Sequence, residues 1–112
     1  MKKVLLIDDE PLLRECFVEI IQGLGCEVIE AENGLEGLIQ LKKMKFDLII
    51  TDIDMPIMNG VEFIQNVRQM NDQTPIVVIN GAARLSKEQL MQFGANKFIE
   101  KPIRNYEELI NV

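Results

Sequence analysis

Histidine and tryptophan are missing from this chain altogether. Without an imidazole there is no ready general base near neutrality, and the commonest side-chain ligand of zinc, copper and iron is gone. Cysteine is scarce. Cys16 and Cys26 lie in apolar surroundings without CxxC spacing, and they read as two buried free thiols suited to a reducing compartment, ahead of a disulfide. Positive charge is the minority sign: 12 Lys and Arg stand against 18 Asp and Glu, for a formal charge of -6. That balance argues against nucleic acid or an anionic membrane surface as a direct partner, since both demand a basic face. No apolar run approaches the ~20 residues of a membrane helix, and Met1-Lys2-Lys3 leads straight into a short strand with no signal-peptide pattern. Repeats, low-complexity tracts and linkers are also absent. What remains is 112 residues, 47% of them hydrophobic, enough for one core and too few for two. The expectation is a single cytoplasmic domain over residues 1–112.

Short apolar runs alternate with helical patterns along the whole chain. Lys3-Val4-Leu5-Leu6-Ile7 reads as a strand buried on both faces. Leu12, Leu13, Cys16, Phe17, Ile20, Ile21 and Leu24 then recur at three- and four-residue spacing, an amphipathic stripe that Gly25 closes. Glu27–Glu30 is a shorter strand, and Gly34 to Met44 a helix carrying Leu35, Leu38 and Leu41. Asp47–Thr51 is the third strand, followed by a loop with Pro56, Asn59 and Gly60. Val61, Ile64, Val67 and Met70 mark the third helix, and Pro75–Ile79 the fourth strand. Ser86 with Gln89 forms a capping box for a fourth helix that Gly94 can end. Phe98-Ile99 centres a fifth strand. Asn105 and Glu108 start a last helix, of which only about seven residues follow, below the ~12 at which an isolated helix becomes marginal. It must lean on the sheet through Leu109 and Ile110. Strands alternating with helices mean βαβ units, right-handed crossovers and a doubly wound parallel sheet with helices on both faces.

In such a sheet the ligand site lies beyond the carboxyl ends of the strands. The residues there are Asp8, Asp9 and Glu10 after the first strand, Asp52 and Asp54 after the third, Asn80 and Gly81 after the fourth, and Lys101-Pro102 after the fifth. Converging carboxylates repel and take up protons unless a cation offsets them. An all-oxygen cluster suits a hard divalent ion such as Mg²⁺. With Lys101 at the same edge, a carboxylate so placed can accept a phosphoryl group as nucleophile, giving a mixed anhydride. Each piece alone has a plainer reading. Asp9 or Glu10 before Pro11 is a sound helix start, Asp52 a loop residue, and Lys101-Pro102 a strand stop whose peptide bond can be cis. The ordered set is what carries the inference.

Ile7–Pro11, Glu30–Gly34, the run Asp47–Gly60 and Glu100-Lys101-Pro102 resemble the signature segments of response-regulator receiver domains of two-component signalling. The resemblance covers nearly the whole chain and implies the flavodoxin-like strand order 2-1-3-4-5. It implies Asp52 as phospho-acceptor, Asp9 and Asp52 as direct Mg²⁺ ligands, Asp8 on metal-bound water, the backbone carbonyl of Asp54 as a further ligand, and Lys101 on the phosphoryl group. It implies as donor a histidine kinase or histidine phosphotransfer protein, with small phosphodonors able to substitute. Downstream stands a protein or output domain that the sequence does not name. Beyond its own phosphorylation and dephosphorylation no enzyme activity is implied.

One position departs from the pattern. Receivers usually carry Thr or Ser where this chain has Asn80, whose amide is a bulkier donor. Gly81 and Ala82 beside it are small, as an open phosphate pocket requires. Phe98 stands where the family places its switch aromatic, and a plain core Phe is the other reading. Two further functions compete. Asp52-Ile53-Asp54 resembles the DxD pair of haloacid-dehalogenase-type phosphatases, though there it follows the first strand. A pseudo-receiver, an interaction module that is never phosphorylated, would have lost Asp9, Asp52 or Lys101, and none is lost. The short last helix leaves two options: a stand-alone receiver or the receiver piece of a longer chain.

Overall fold

Five runs with apolar residues on both sides of the pleat become the strands of one sheet in the computed structural model, which describes residues 1–80 and 85–111. They are β1 Lys3–Ile7, β2 Glu27–Ala31, β3 Leu48–Asp52, β4 Ile76–Asn80 and β5 Lys97–Glu100, ordered β2-β1-β3-β4-β5. Every pairing is parallel, with Leu5 opposite both Ile29 and Ile49, Ile50 opposite Val77, and Ile79 opposite Ile99. The four helices are α1 Pro11–Gly23, α2 Gly34–Lys43, α3 Gly60–Gln69 and α4 Lys87–Phe93. The expected doubly wound fold and strand order are present.

Alternation along each strand divides the core in two. Leu5, Ile7, Ile49, Ile76 and Val78 pack with Leu38 of α2, Phe63, Ile64 and Val67 of α3 and Leu90 of α4. Val4, Leu6, Leu48, Ile50, Val77 and Ile79 pack with Phe17 and Ile21 of α1 and with Leu109. Phe63 is fully buried; removing such a ring costs ~3–5 kcal/mol. α2, α3 and α4 start on polar caps. Asn33 and Asn59 accept the backbone N–H of Glu36 and Glu62, and Ser86 with Gln89 forms the expected reciprocal box. Gly94 closes α4 with φ of 118°.

The amino-terminal ends of β4 and β5 are tied by Arg68. Its guanidinium donates to the carbonyls of Asp72 (2.8 Å), Thr74 (2.9 Å) and Gly94 (2.9 and 3.1 Å) and to Asn96 Oδ1 (2.8 Å). Burial pushes Arg68 below its ordinary pKa, and the charge of Asp72 acts the other way.

Three expectations are corrected. The last helix is a single 3₁₀ turn, Tyr106–Leu109, capped by Asn105. Buried Leu109 and partly buried Ile110 hold it to the sheet, and Lys97 Nζ donates to the carbonyls of Glu108 at 2.9 Å and Asn111 at 3.3 Å. Cys16 is exposed while Cys26 is buried, and both are free thiols. Leu12, read as part of the buried stripe, is 79% exposed; it lies one turn from exposed Cys16 on the flank of α1 away from buried Phe17 and Ile21.

Candidate functional site

The chain passes from β1 to β2 on one side and then crosses back to β3 on the other, so the carboxyl ends of β1 and β3 flank the topological switch point. Asp8 follows β1 directly and is 3% exposed. Its N–H donates to the Ala31 carbonyl at 3.1 Å, and its Oδ1 accepts the Glu10 N–H at 2.9 Å. Glu10 occupies the cap position of α1 with no capping bond from its own side chain, and Pro11 takes the first helical position. The acidic run is therefore more than a helix start: Asp9, half-buried, faces the same edge as Asp8.

Asp52 ends β3. Its Oδ1 accepts the Ile53 N–H at 2.6 Å and its Oδ2 lies 3.2 Å from Lys101 Nζ. The two side chains are 13% and 25% exposed. Lys101 arrives from the end of β5 across a cis peptide bond to Pro102. Carboxylate oxygens of Asp8, Asp9 and Asp52 lie within 4.8 Å of one another. Burial raises the Asp8 carboxyl above its usual 3.8, while the Glu10 N–H opposes this. The charges of Asp52 and Asp9 raise it further and Lys101 lowers it.

Backbone contacts hold this edge in place. The Gly60 N–H donates to the Ile53 carbonyl at 2.8 Å. A Cβ at Gly60 would strike the Asp52 carbonyl oxygen and lie 2.8 Å from Ile53 Cα, so α3 can begin this close to the acceptor strand only with glycine there. Between them Met58 N–H donates to the Pro56 carbonyl at 2.7 Å. This closes a three-residue turn on Ile57, whose φ of 68° is rare for a β-branched residue.

Three carboxylates against one ammonium leave two formal negative charges in a small, partly buried volume. The donors are all oxygen. Both facts fit one hard divalent cation such as Mg²⁺.

Of the residues singled out from sequence, Asp8, Asp9, Asp52 and Lys101 come together. Asp54 is exposed in the loop after β3 and is not among the clustered carboxylates. Phe98 on β5 is half-buried against the α2–α3–α4 side of the core. Asn80 ends β4 opposite Glu100; its side chain, with Gly81 and Ala82, lies outside the described residues. Sequence reasoning missed Arg14, which donates to the Asp8 carbonyl at 2.6 Å and pairs with Glu30 at 3.0 Å. Its signal was there: it is the single basic residue of α1.

Comparison with known proteins gives a consistent result. The family model for the response regulator receiver domain matches residues 4–112. Chemotaxis protein CheY-3 of Vibrio cholerae is 34% identical over 104 residues, covering 89% of this chain and 80% of that protein. The Regulator of RpoS of Escherichia coli is 29% identical over 109 residues, covering 96% of this chain, and the chain spans about a third (32%) of that relative's length. Among solved structures, the response regulator TrrA of Thermotoga maritima in complex with Mg(2+)-BeF superposes with a TM-score of 0.87 at 32% identity, over 98% of this chain and 94% of that one.

Proposed function

The chain belongs to the response regulator receiver family, and from that premise we propose that it is a phospho-acceptor switch in which Asp52 takes a phosphoryl group from a histidine kinase or a histidine phosphotransfer protein. The observation that carries this reading is Lys101 Nζ at 3.2 Å from Asp52 Oδ2 at the rim of a three-carboxylate cluster. Receivers generally bind Mg²⁺ at an acidic pocket, and Asp9 and Asp52, the Asp54 carbonyl and a water held by Asp8 would hold it here. Bound Mg²⁺ supplies positive charge to the phosphoryl oxygens. Asp52 attacks phosphorus as the P–N bond to the donor imidazole breaks. The bonding pair stays on the ring nitrogen, and an acyl phosphate remains on Asp52. Lys101 stabilises charge on the transferring group, and Asn80 stands where a donor to that group is expected. Phe98 relays the change to the face formed by α4, β5 and the 3₁₀ turn.

The relatives include a chemotaxis protein and a regulator of RpoS, in keeping with a signalling role, and the Mg(2+)-BeF complex of TrrA supports the metal. A dehalogenase-type phosphatase fits less well, because Asp54, its expected acid–base partner, is exposed away from the clustered carboxylates. The decisive test is intact-protein mass spectrometry after phosphoramidate treatment. One phosphoryl group should be gained, only with Mg²⁺, and Asp52→Asn should gain none. No incorporation into the wild type overturns the reading in favour of a pseudo-receiver interaction module.

A further inference from the structure

The geometry points to Arg14, acting with Glu30, as the positioning residue that sets the orientation of the Asp8–Asp9 peptide and through it the affinity of the acidic cluster for a divalent cation; this rests on the metal site proposed above. The turn from β1 to α1 is only Asp8, Asp9 and Glu10 long. Its first residue is gripped on both sides. The Asp8 N–H donates to the Ala31 carbonyl at 3.1 Å, and the Asp8 carbonyl accepts from Arg14 Nη1 at 2.6 Å. Arg14 Nε in turn holds Glu30 Oε1 at 3.0 Å. Glu30 and Ala31 are consecutive on β2, so one short stretch of that strand fixes both the N–H and the carbonyl of Asp8.

Peptide planarity carries the constraint onward. The Asp8 carbonyl, the Asp9 nitrogen and the Asp9 Cα share one rigid plane, so a guanidinium that fixes the first fixes where the root of the Asp9 side chain sits. The Arg14 side chain is 13% exposed and that of Glu30 48%; the arginine is enclosed and its partner stands at the edge of the sheet. A planar fork is needed, because one group must point two N–H bonds at two separate acceptors. A lysine ammonium on a flexible stem does this poorly.

The sign of the effect separates positioning from mere charge. Arg14 carries a positive charge beside an acidic cluster, so by Coulomb attraction alone its removal would strengthen cation binding. Positioning gives the opposite result, since losing a group that orients a ligand typically lowers metal affinity by about 10-fold or more. The test is Mg²⁺ affinity by calorimetry on the metal-free protein, with far-UV circular dichroism to establish folding. Arg14→Ala should bind Mg²⁺ roughly 10-fold more weakly, Arg14→Lys should recover only part of the loss, and the Asp9 amide should shift in the NMR spectrum of the metal-free variant. Glu30→Ala changes an exposed position on an edge strand. It should weaken binding, and Glu30→Gln, which loses the same charge but keeps an acceptor for Arg14, should weaken it less; that difference, which charge alone does not give, decides the matter if Arg14→Ala does not fold. Unchanged or tighter Mg²⁺ binding in the folded variants overturns the proposal while leaving the acceptor site intact. A wild type that binds no Mg²⁺ overturns the metal site itself, and this inference with it.

Discussion

Asp8 is the residue at which folding and function pull apart. It is almost fully buried, with like charges nearby, and its folded pKa lies above its unfolded value. The folded state therefore binds this proton more tightly than the unfolded state does. The stability it contributes is complete below the unfolded pKa, near 3.8, and is lost as pH rises through the higher folded value. Asp8→Asn removes the ionisation. In urea unfolding without metal we expect the variant to be more stable than wild type near neutral pH by about 1 kcal/mol. The gap should shrink as pH falls toward 4. A gap that is absent or that widens on acidification would show that desolvation of Asp8 does not dominate. Asp9 and Asp52 meet the same crowding with more solvent or with Lys101 to hand.

At the level of elements, strands were the most readable part of the chain. A run such as Val4-Leu5-Leu6-Ile7 has an apolar residue for each face, which only a sheet covered on both sides can use. The capping box at Ser86 and the stop at Gly94 were equally legible, because each follows from one or two side chains. Exposure along α1 was not. Leu12 and Cys16 obey the helical period, yet they lie one turn apart on the flank away from buried Phe17 and Ile21, and which flank meets the sheet is a tertiary matter that spacing does not encode. The final element kept its cap, Asn105, but took the tighter 3₁₀ form, which a cap alone does not tell from an α-helix. The acidic cluster was legible because topology alone brings strand ends together; Arg14 stood out as the one basic residue of α1, but its bond to a backbone carbonyl leaves no trace in side-chain spacing. One element-level expectation concerns the end of β4. The resemblance puts a hydroxyl at this position, and the amide of Asn80 is the larger group. Asn80→Thr should therefore enlarge the amide shifts around Phe98 on adding beryllofluoride with Mg²⁺. Equal shifts in both proteins would show that the amide does the hydroxyl's work in full.

Across the whole molecule, the excess of negative charge is focused where one cation can answer it. A divalent cation held by the three carboxylates would bind the folded state alone, because they converge only there, and so Mg²⁺ should raise the melting temperature. The rise should be much smaller in Asp9→Ala; equal shifts at matched Mg²⁺ concentrations would place the bound cation elsewhere. The opposite end of the sheet is built on other lines. There Arg68 laces the start of β4, the end of α4 and the entry to β5 through carbonyls that no other side chain reaches among the described hydrogen bonds. That corner is a clamp. Five hydrogen bonds donated by one guanidinium join the chain before β4 to the chain before β5, at the end of the sheet away from the acidic cluster.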